Sequence, residues 1–115
     1  MPFLSDHRGK ALIGVIHLQP LPGAPRWGGE WEAVLRRAVT DAQAYQAGGA
    51  DAVCLENFGD RPFPKAGVGP ETVACMAVAA RAVRGAIKLP LGFNVLRNDA
   101  RAALALCAAC HGSFI

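Results

Sequence analysis

The sequence predicts an α/β protein built around a parallel β-sheet. Short, continuous apolar runs such as Ala11–Ile16 are typical of strands that are buried on both faces. Each run is followed by a longer segment with apolar residues at helical spacing. The two patterns alternate as strand, helix, strand, helix, strand, helix and the opening of a fourth strand. Repeats of this kind build parallel sheets with right-handed crossover connections.

The first helix is predicted over Trp31–Ala47, between two buried strands. The run Ala11–Ile16 forms the strand before it, and a loop rich in proline and glycine joins the two. Gly48 and Gly49 follow the helix as a C-cap, and residues 51–55 form the second strand. The apolar face of the helix consists of Trp31, Val34, Leu35, Ala38, Ala42 and Tyr45.

The second helix is predicted to begin at Pro70 and to end near Arg84. Proline is favoured at the first helical position, and Glu71 places a negative charge in the first turn, where the helix dipole stabilises it. A second loop rich in glycine and proline, residues 57–69, precedes this helix. Its apolar face consists of Val73, Ala77, Ala80 and Val83.

The third unit is a strand over Pro90–Val95 followed by a helix over residues 99–110. A proline is tolerated at the first residue of a strand because it removes few ladder hydrogen bonds. Asn98 is predicted to be the N-cap of the helix. Residues 112–115 then have the pattern of the opening of a fourth strand.

Two architectures fit this order of elements, a doubly wound sheet and a (β/α)8 barrel. The chain has 115 residues, whereas a full barrel typically needs ~250. We therefore expect residues 1–115 to form one partial barrel domain, a half-barrel truncated at the fourth strand. An open half-barrel exposes two sheet edges, and such edges favour self-association.

The composition excludes several classes of protein. Hydrophobic residues make up 52% and charged residues 18%, which rules out a disordered chain. Twelve Lys and Arg against nine Asp and Glu give a net charge of +3, and no basic block predicts a nucleic-acid partner. No apolar run reaches the ~18 residues of a membrane span. The first ten residues are polar and unlike a signal peptide, so the expected compartment is the cytoplasm.

Polar side chains follow each predicted strand. His17 ends the first strand, Glu56 and Asn57 end the second, and Asn94 lies at the end of the third. In a barrel the carboxyl ends of the strands meet on the face that holds the active site. His17 is a candidate general base or metal ligand, and Glu56 a candidate general acid, base or ligand. Asn57 and Asn94 are candidates for binding a polar ligand or an oxyanion.

The loops after the strands add further candidates. Asp60, Arg97 and Asn98 are also predicted to bind the ligand. Residues 65–69 could hold an anion at the start of the second helix, although turn formation by glycine is the favoured interpretation. The general alternative is that these polar groups satisfy loop backbones and helix N-termini. Arg97 could then pair with Asp60 or Asp99.

Cys107, Cys110 and His111 match the C-x-x-C-H spacing of c-type haem attachment. Haem attachment of this type would require export, and a structural zinc site normally has four ligands. The cysteines lie in an Ala/Leu-rich helix, so two thiols in a helical core are the favoured interpretation. We assign no cofactor and no metal site.

Four stretches resemble the BtpA/SgcQ family, in the same order along the chain. They are residues 17–23, 56–60, 68–72 and 94–99, and the resemblance extends over residues 13–115. It implies a (β/α)8 barrel similar to the ribulose-phosphate-binding barrels, with family motifs centred on His17 and Glu56. It also implies a role in photosystem I biogenesis, with a photosystem or membrane-surface partner and peripheral membrane association. Members occur in organisms without photosystems, so a barrel that acts on or binds a small phosphorylated metabolite is the alternative.

Overall fold

The computed structural model describes Ser5 and residues 9–115, and in these residues three parallel strands alternate with three helices. The elements are β1 (Ile13–His17), α1 (Trp31–Ala47), β2 (Ala52–Glu56), α2 (Pro70–Ala86), β3 (Leu91–Asn94) and α3 (Ala100–Cys110). The sheet has the order β1-β2-β3, so each strand lies beside the next one in the chain. The predicted α/β class and the parallel sheet are confirmed.

The predicted helix bounds are close to those observed, with one correction at α3. The N-cap of this helix is Asp99, whose side chain accepts a hydrogen bond of 2.9 Å from the backbone N–H of Ala102. The prediction that Asn98 is the cap is therefore wrong. Asn98 has a φ of 64°, in the left-handed region that asparagine tolerates better than most residues.

The register of the sheet divides its side chains between two faces. His17 is paired with Glu56, and Glu56 with Asn94, so these three side chains lie on one face. The opposite face packs against the helices and contains the fully buried Ile16, Leu55 and Phe93, among other core residues. We call the first face the open face, because no described helix packs against it. Its side chains are those of Ile13, Val15, His17, Ala52, Cys54, Glu56 and Asn94.

Both edges of the sheet carry additional hydrogen bonds. Beside β3, Phe114 forms a single parallel bridge with Gly92, and the N–H of Ser113 donates to the carbonyl of Leu91 at 2.7 Å. This pairing lies where the fourth strand was predicted to open. At the β1 edge, the hydroxyl of Tyr45 donates to the carbonyl of Val15 at 3.0 Å. The described residues thus form an open three-stranded sheet with one further bridge at its β3 edge, an arrangement compatible with part of a barrel.

Within the described residues, no helix combines the length and the apolar character needed to cross a bilayer.

Candidate functional site

A row of three polar side chains lies at the carboxyl ends of the strands, on the open face. Nδ2 of Asn94 donates to Oε2 of Glu56 at 2.6 Å. Nε2 of His17 lies 3.6 Å from Oε1 of Glu56. The parallel register brings these residues together, since it places all three at the same level of the sheet. Three of the sequence-predicted site residues are thus neighbours.

Glu56 and His17 differ in their access to solvent. The side chain of Glu56 is 13% exposed, and each of its oxygens faces one neighbour in the row. The side chain of His17 is 54% exposed. An imidazole is the side chain best suited to exchange protons near neutral pH, and a neighbouring carboxylate can orient it. The geometry therefore suits His17 for proton transfer and Glu56 for orienting it.

Cys54 lies one layer below the row on the same face of the sheet. Burial, together with the negative charge of Glu56, raises the pKa of its thiol to about 11. The thiol is therefore protonated near neutral pH, and a thiol is a much weaker nucleophile than a thiolate. Cys54 contributes packing to the site and no nucleophile.

Asn57 follows the row but points into the interior, where it is 1% exposed. Its Oδ1 accepts from the N–H of Leu96 at 2.7 Å, and its Nδ2 donates to the carbonyl of the same residue at 3.2 Å. The amide thus ties the end of β2 to the loop after β3. Asn57 thus does what the alternative interpretation of the polar strand ends expects, since it satisfies the hydrogen-bonding groups of a loop backbone. Ligand binding by Asn57 stays a prediction.

Asp60 ties the end of β2 to the loop after β1. Its Oδ1 accepts from the buried N–H of Leu21 at 2.8 Å, and the residue is 7% exposed. Burial raises the pKa of this carboxyl, while hydrogen bonds from Leu21 and Asn57 oppose the rise. Asp60 therefore has a clear role in holding a loop, and its predicted contact with a ligand stays a prediction.

A cavity of about 290 Å³ lies between the loops after β1 and β2 and the start of α2. Asp60 and Glu71 are among its lining residues, and within the described part of the chain no lysine or arginine lines it. The side chain of Glu71 lies over Gly69, where a Cβ would collide with it. These carboxylates oppose an anion at the start of α2, in agreement with the preference for a turn in residues 65–69. The lining residues are Gly23, Ala24, Pro25, Asn57, Asp60, Pro62, Phe63, Pro64, Val68, Gly69, Glu71 and Thr72.

Asn94 and Asn98 meet at a second cavity, of about 200 Å³, between the end of β3 and the start of α3. Arg97, between them in the sequence, is exposed. Among the described residues it forms no salt bridge with Asp60 or Asp99, so the ion pair considered for it is not formed. The structure thus joins the two asparagines at one cavity and leaves Arg97 on the surface beside them.

Cys107 and Cys110 of the C-x-x-C-H stretch both lie in the third helix. Sγ of Cys107 donates to the carbonyl of Phe114 at 3.3 Å, and Sγ of Cys110 to that of Ala77 at 3.9 Å. Both side chains pack against the core. In the part of the chain that the structure describes, no three His, Cys, Asp or Glu side chains are grouped as metal ligands would be.

No sequence pattern singled out Phe58, which contacts the row directly. Its ring stacks on the imidazole of His17, with centroids 4.5 Å apart and planes at 26°. The guanidinium carbon of Arg61 lies 4.8 Å from the centroid of the same ring. Only its position in the sequence could have indicated this role, since Phe58 lies two residues after Glu56 in the stretch that follows the second strand.

Comparison with known proteins places the chain among relatives from archaea and bacteria. It is 47% identical over 110 residues to an uncharacterised protein of Pyrococcus furiosus, an alignment that covers 96% of this chain and 42% of the relative. It is 46% identical over 104 residues to the photosystem I biogenesis protein BtpA of Synechocystis, covering 90% of this chain and 36% of that protein. It is also 40% identical over 91 residues to the sgc region protein SgcQ of Escherichia coli, covering 76% of this chain and 33% of that protein.

These relatives are longer than the chain, which spans about two fifths of the first of them. No solved structure matches the chain. The family described as the BtpA family matches residues 8–115, nearly the whole chain, in agreement with the resemblance of the four strand-end stretches. The chain belongs to the BtpA family.

Proposed function

We propose that the chain forms the first part of a (β/α)8 barrel whose strand ends bind and act on a small polar molecule. The observation that carries the proposal is the row of His17, Glu56 and Asn94 on the open face, at the carboxyl ends of three parallel strands. Active sites of barrel enzymes lie at these strand ends, and the open face corresponds to the interior of such a barrel.

In this proposal each member of the row has a separate role. His17 exchanges a proton with the ligand, because its ring is accessible and lies beside a carboxylate. Glu56 orients the imidazole through Oε1 and is itself held by Asn94 through Oε2. Asn94 is exposed and also borders the cavity beside α3, so its amide can contact both Glu56 and a ligand.

A phosphorylated metabolite remains the ligand class that the likeness to phosphate-binding barrels suggests. The start of each described helix nevertheless carries a carboxylate: Glu32 in α1, Glu71 in α2 and Asp99 in α3. A helix N-terminus binds phosphate through free N–H groups and its positive dipole, and a carboxylate there competes for both. We therefore expect these strand ends to contact the part of the ligand that carries no phosphate.

The test is a titration of the ¹⁵N-labelled chain with ribose, ribose 5-phosphate and inorganic phosphate, followed by NMR. We expect ribose and its phosphate to shift the backbone amide signals of Glu56, Phe58 and Asn94. The Glu56→Gln variant should weaken binding about tenfold, which corresponds to about 1.4 kcal/mol. Lys88→Gln, at the opposite end of the sheet, is the matched control and should bind as the wild type does. Amide shifts confined to other regions, or equal affinity in Glu56→Gln, would contradict a ligand site at the row.

A second candidate function is photosystem I biogenesis, and the 46% identity to the Synechocystis protein of that name supports it. A chimera tests it, in which this chain replaces the matching segment of that protein in a Synechocystis strain lacking its own copy. If the segment acts by binding a photosystem or membrane-surface partner, the chimera should restore photosystem I, and so should its His17→Ala form. Restoration that depends on His17 would instead support chemistry at the row. No restoration by either form would argue against this function.

A further inference from the structure

We propose that Phe58 is a positioning residue, which holds the imidazole of His17 against Glu56. The inference rests on the proposed function in one respect, namely that His17 is the proton-transfer group. The two rings are stacked, with centroids 4.5 Å apart and planes at 26°. Nε2 of His17 lies 3.6 Å from Oε1 of Glu56, which is too long for a good hydrogen bond. The carboxylate alone therefore does not fix the ring, and the stack supplies the second restraint.

The backbone on both sides of Phe58 is fixed, so its ring is a suitable support. On one side, Asn57 is buried and bonds both backbone polar groups of Leu96. On the other side, the N–H of Gly59 donates to the carbonyl of Leu18 at 3.0 Å. A Cβ at Gly59 would overlap the backbone of residues 18–20, so the two loops touch through this glycine. Phe58 cannot move away from β1 without breaking one of these attachments.

The ring of Phe58 is restrained by side chains as well. The guanidinium carbon of Arg61 lies 4.8 Å from its centroid, a cation–π distance. The ring of Phe63 lies 6.4 Å away, at an interplanar angle of 50°. Phe58 is 37% exposed, so its ring lies at the surface beside the accessible imidazole. Its neighbours suggest that its task is to orient the ring of His17.

The test measures whether Glu56 still influences His17 when Phe58 is replaced. Diethyl pyrocarbonate acylates an accessible imidazole nitrogen, and the rate at His17 can be followed by peptide mass spectrometry, with the exposed His111 as internal reference. The side chain of Glu56 lies beside Nε2 and shields it, so truncation in Glu56→Ala should raise the rate at His17 at least threefold. In the Phe58→Leu background the same substitution should change the rate by less than 1.5-fold. Phe58→Trp, which can still stack, should restore the response to Glu56→Ala.

An equal response to Glu56→Ala in the wild type and in Phe58→Leu would overturn the proposal, since Phe58 would then only fill space. Circular dichroism establishes that each variant is folded. Should Phe58→Leu fail to fold, contacts between the ring protons of His17 and Phe58 in the wild-type NMR spectrum decide the question, and their absence would also overturn it. The proposed function fails separately, if no titrated ligand shifts the strand-end amides while the coupling of His17, Phe58 and Glu56 is intact.

Discussion

Two aspartates near the strand ends have opposite electrostatic environments. Burial raises the pKa of Asp60, and hydrogen bonds only partly offset this effect. Backbone N–H groups of Ala102 and Val68 donate to the carboxylate of Asp99 and lower its pKa. Both residues hold loops, yet only Asp99 gains from being charged. Asp60 lies where its charge is disfavoured, so its hydrogen bond to Leu21 serves the loop geometry.

The raised pKa of Asp60 predicts a specific pH dependence of stability. The folded state binds this proton more tightly than the unfolded state, so the contribution is fully present below the unfolded value of 3.8. It is lost as the pH rises from 3.8 through the folded pKa. The difference in unfolding free energy between wild type and Asp60→Asn should therefore fall as the pH rises through this window. Urea unfolding at a series of pH values measures it, and the amide oxygen of the variant still accepts from Leu21.

Asp99→Asn is the matched comparison, because the pH dependence of stability is expected to have the opposite sign at Asp99. The lowered pKa of Asp99 contributes stability above 3.8 that is lost as the pH falls through the folded pKa. The unfolding free energy of the wild type should therefore increase relative to that of Asp99→Asn as the pH rises through the folded pKa to 3.8. A flat difference for Asp60→Asn, or one that rises with pH, would mean that burial does not dominate at Asp60.

At the scale of elements, β1 and α1 approach each other through a glycine. A Cβ at Gly14 would collide with the ring of Tyr45, so the strand and the helix can be this close only without a side chain there. The hydroxyl of the same tyrosine donates a hydrogen bond to the carbonyl of Val15 in β1. Gly14 is therefore part of the packing that fixes β1, and with it His17, relative to the helices.

Alanine substitutions at two glycines should have opposite effects on stability. Gly14→Ala forces Tyr45 to move and should lower the free energy of unfolding by about 1–3 kcal/mol, as overpacking usually does. Gly85→Ala adds a methyl group within α2 where no atom lies within 4 Å. It should raise the free energy of unfolding by about 0.5–1 kcal/mol, because alanine favours the helix. Urea denaturation measures both, and equal effects of the two substitutions would contradict this packing.

The elements were predictable from the sequence because their signals are local. Apolar runs and helical periodicity predicted the strands and helices, and the meeting of His17, Glu56 and Asn94 follows from parallel strands ending at one edge. The partners of Asn57 and Phe58 were not predictable, since Asn57 bonds a backbone 39 residues away. The local sequence also did not determine whether Asn98 or Asp99 is the N-cap of α3. Both residue types form good caps, and the backbone angle at Asn98 decided it.

For the molecule as a whole, the main feature is a sheet with one uncovered face. Of its side chains, Ile13, Val15 and Cys54 are partly buried and Ala52 is fully buried. The relative from Pyrococcus furiosus is more than twice as long as the aligned segment. A barrel formed by such a longer chain would cover this face. In the 115-residue chain, a second copy is the covering layer that we predict.

Self-association through the open face should respond to a charge placed on it. Val15→Lys should weaken association about tenfold or more, a loss of about 1.4 kcal/mol, because the charge would have to leave water. Leu104→Lys is the matched control, since Leu104 is 58% exposed and lies on α3, away from that face. Sedimentation velocity measures the association, and the thermal midpoint of the wild type should rise with protein concentration. A wild-type monomer at high concentration would contradict the prediction, as would equal weakening by both lysines.

The alternating register has a consequence for insertions and deletions in this chain. Phe93 and Asn94 are adjacent, one in the core and the other in the polar row. A one-residue deletion within β3 before them would exchange their faces, bringing an amide into the core and a benzyl group to the row. Loss of the site and loss of the fold would then occur in one event. Insertions and deletions in this part of the chain should therefore be tolerated only in pairs that restore which residues face the core. Single substitutions, in contrast, can alter the row and leave the core intact.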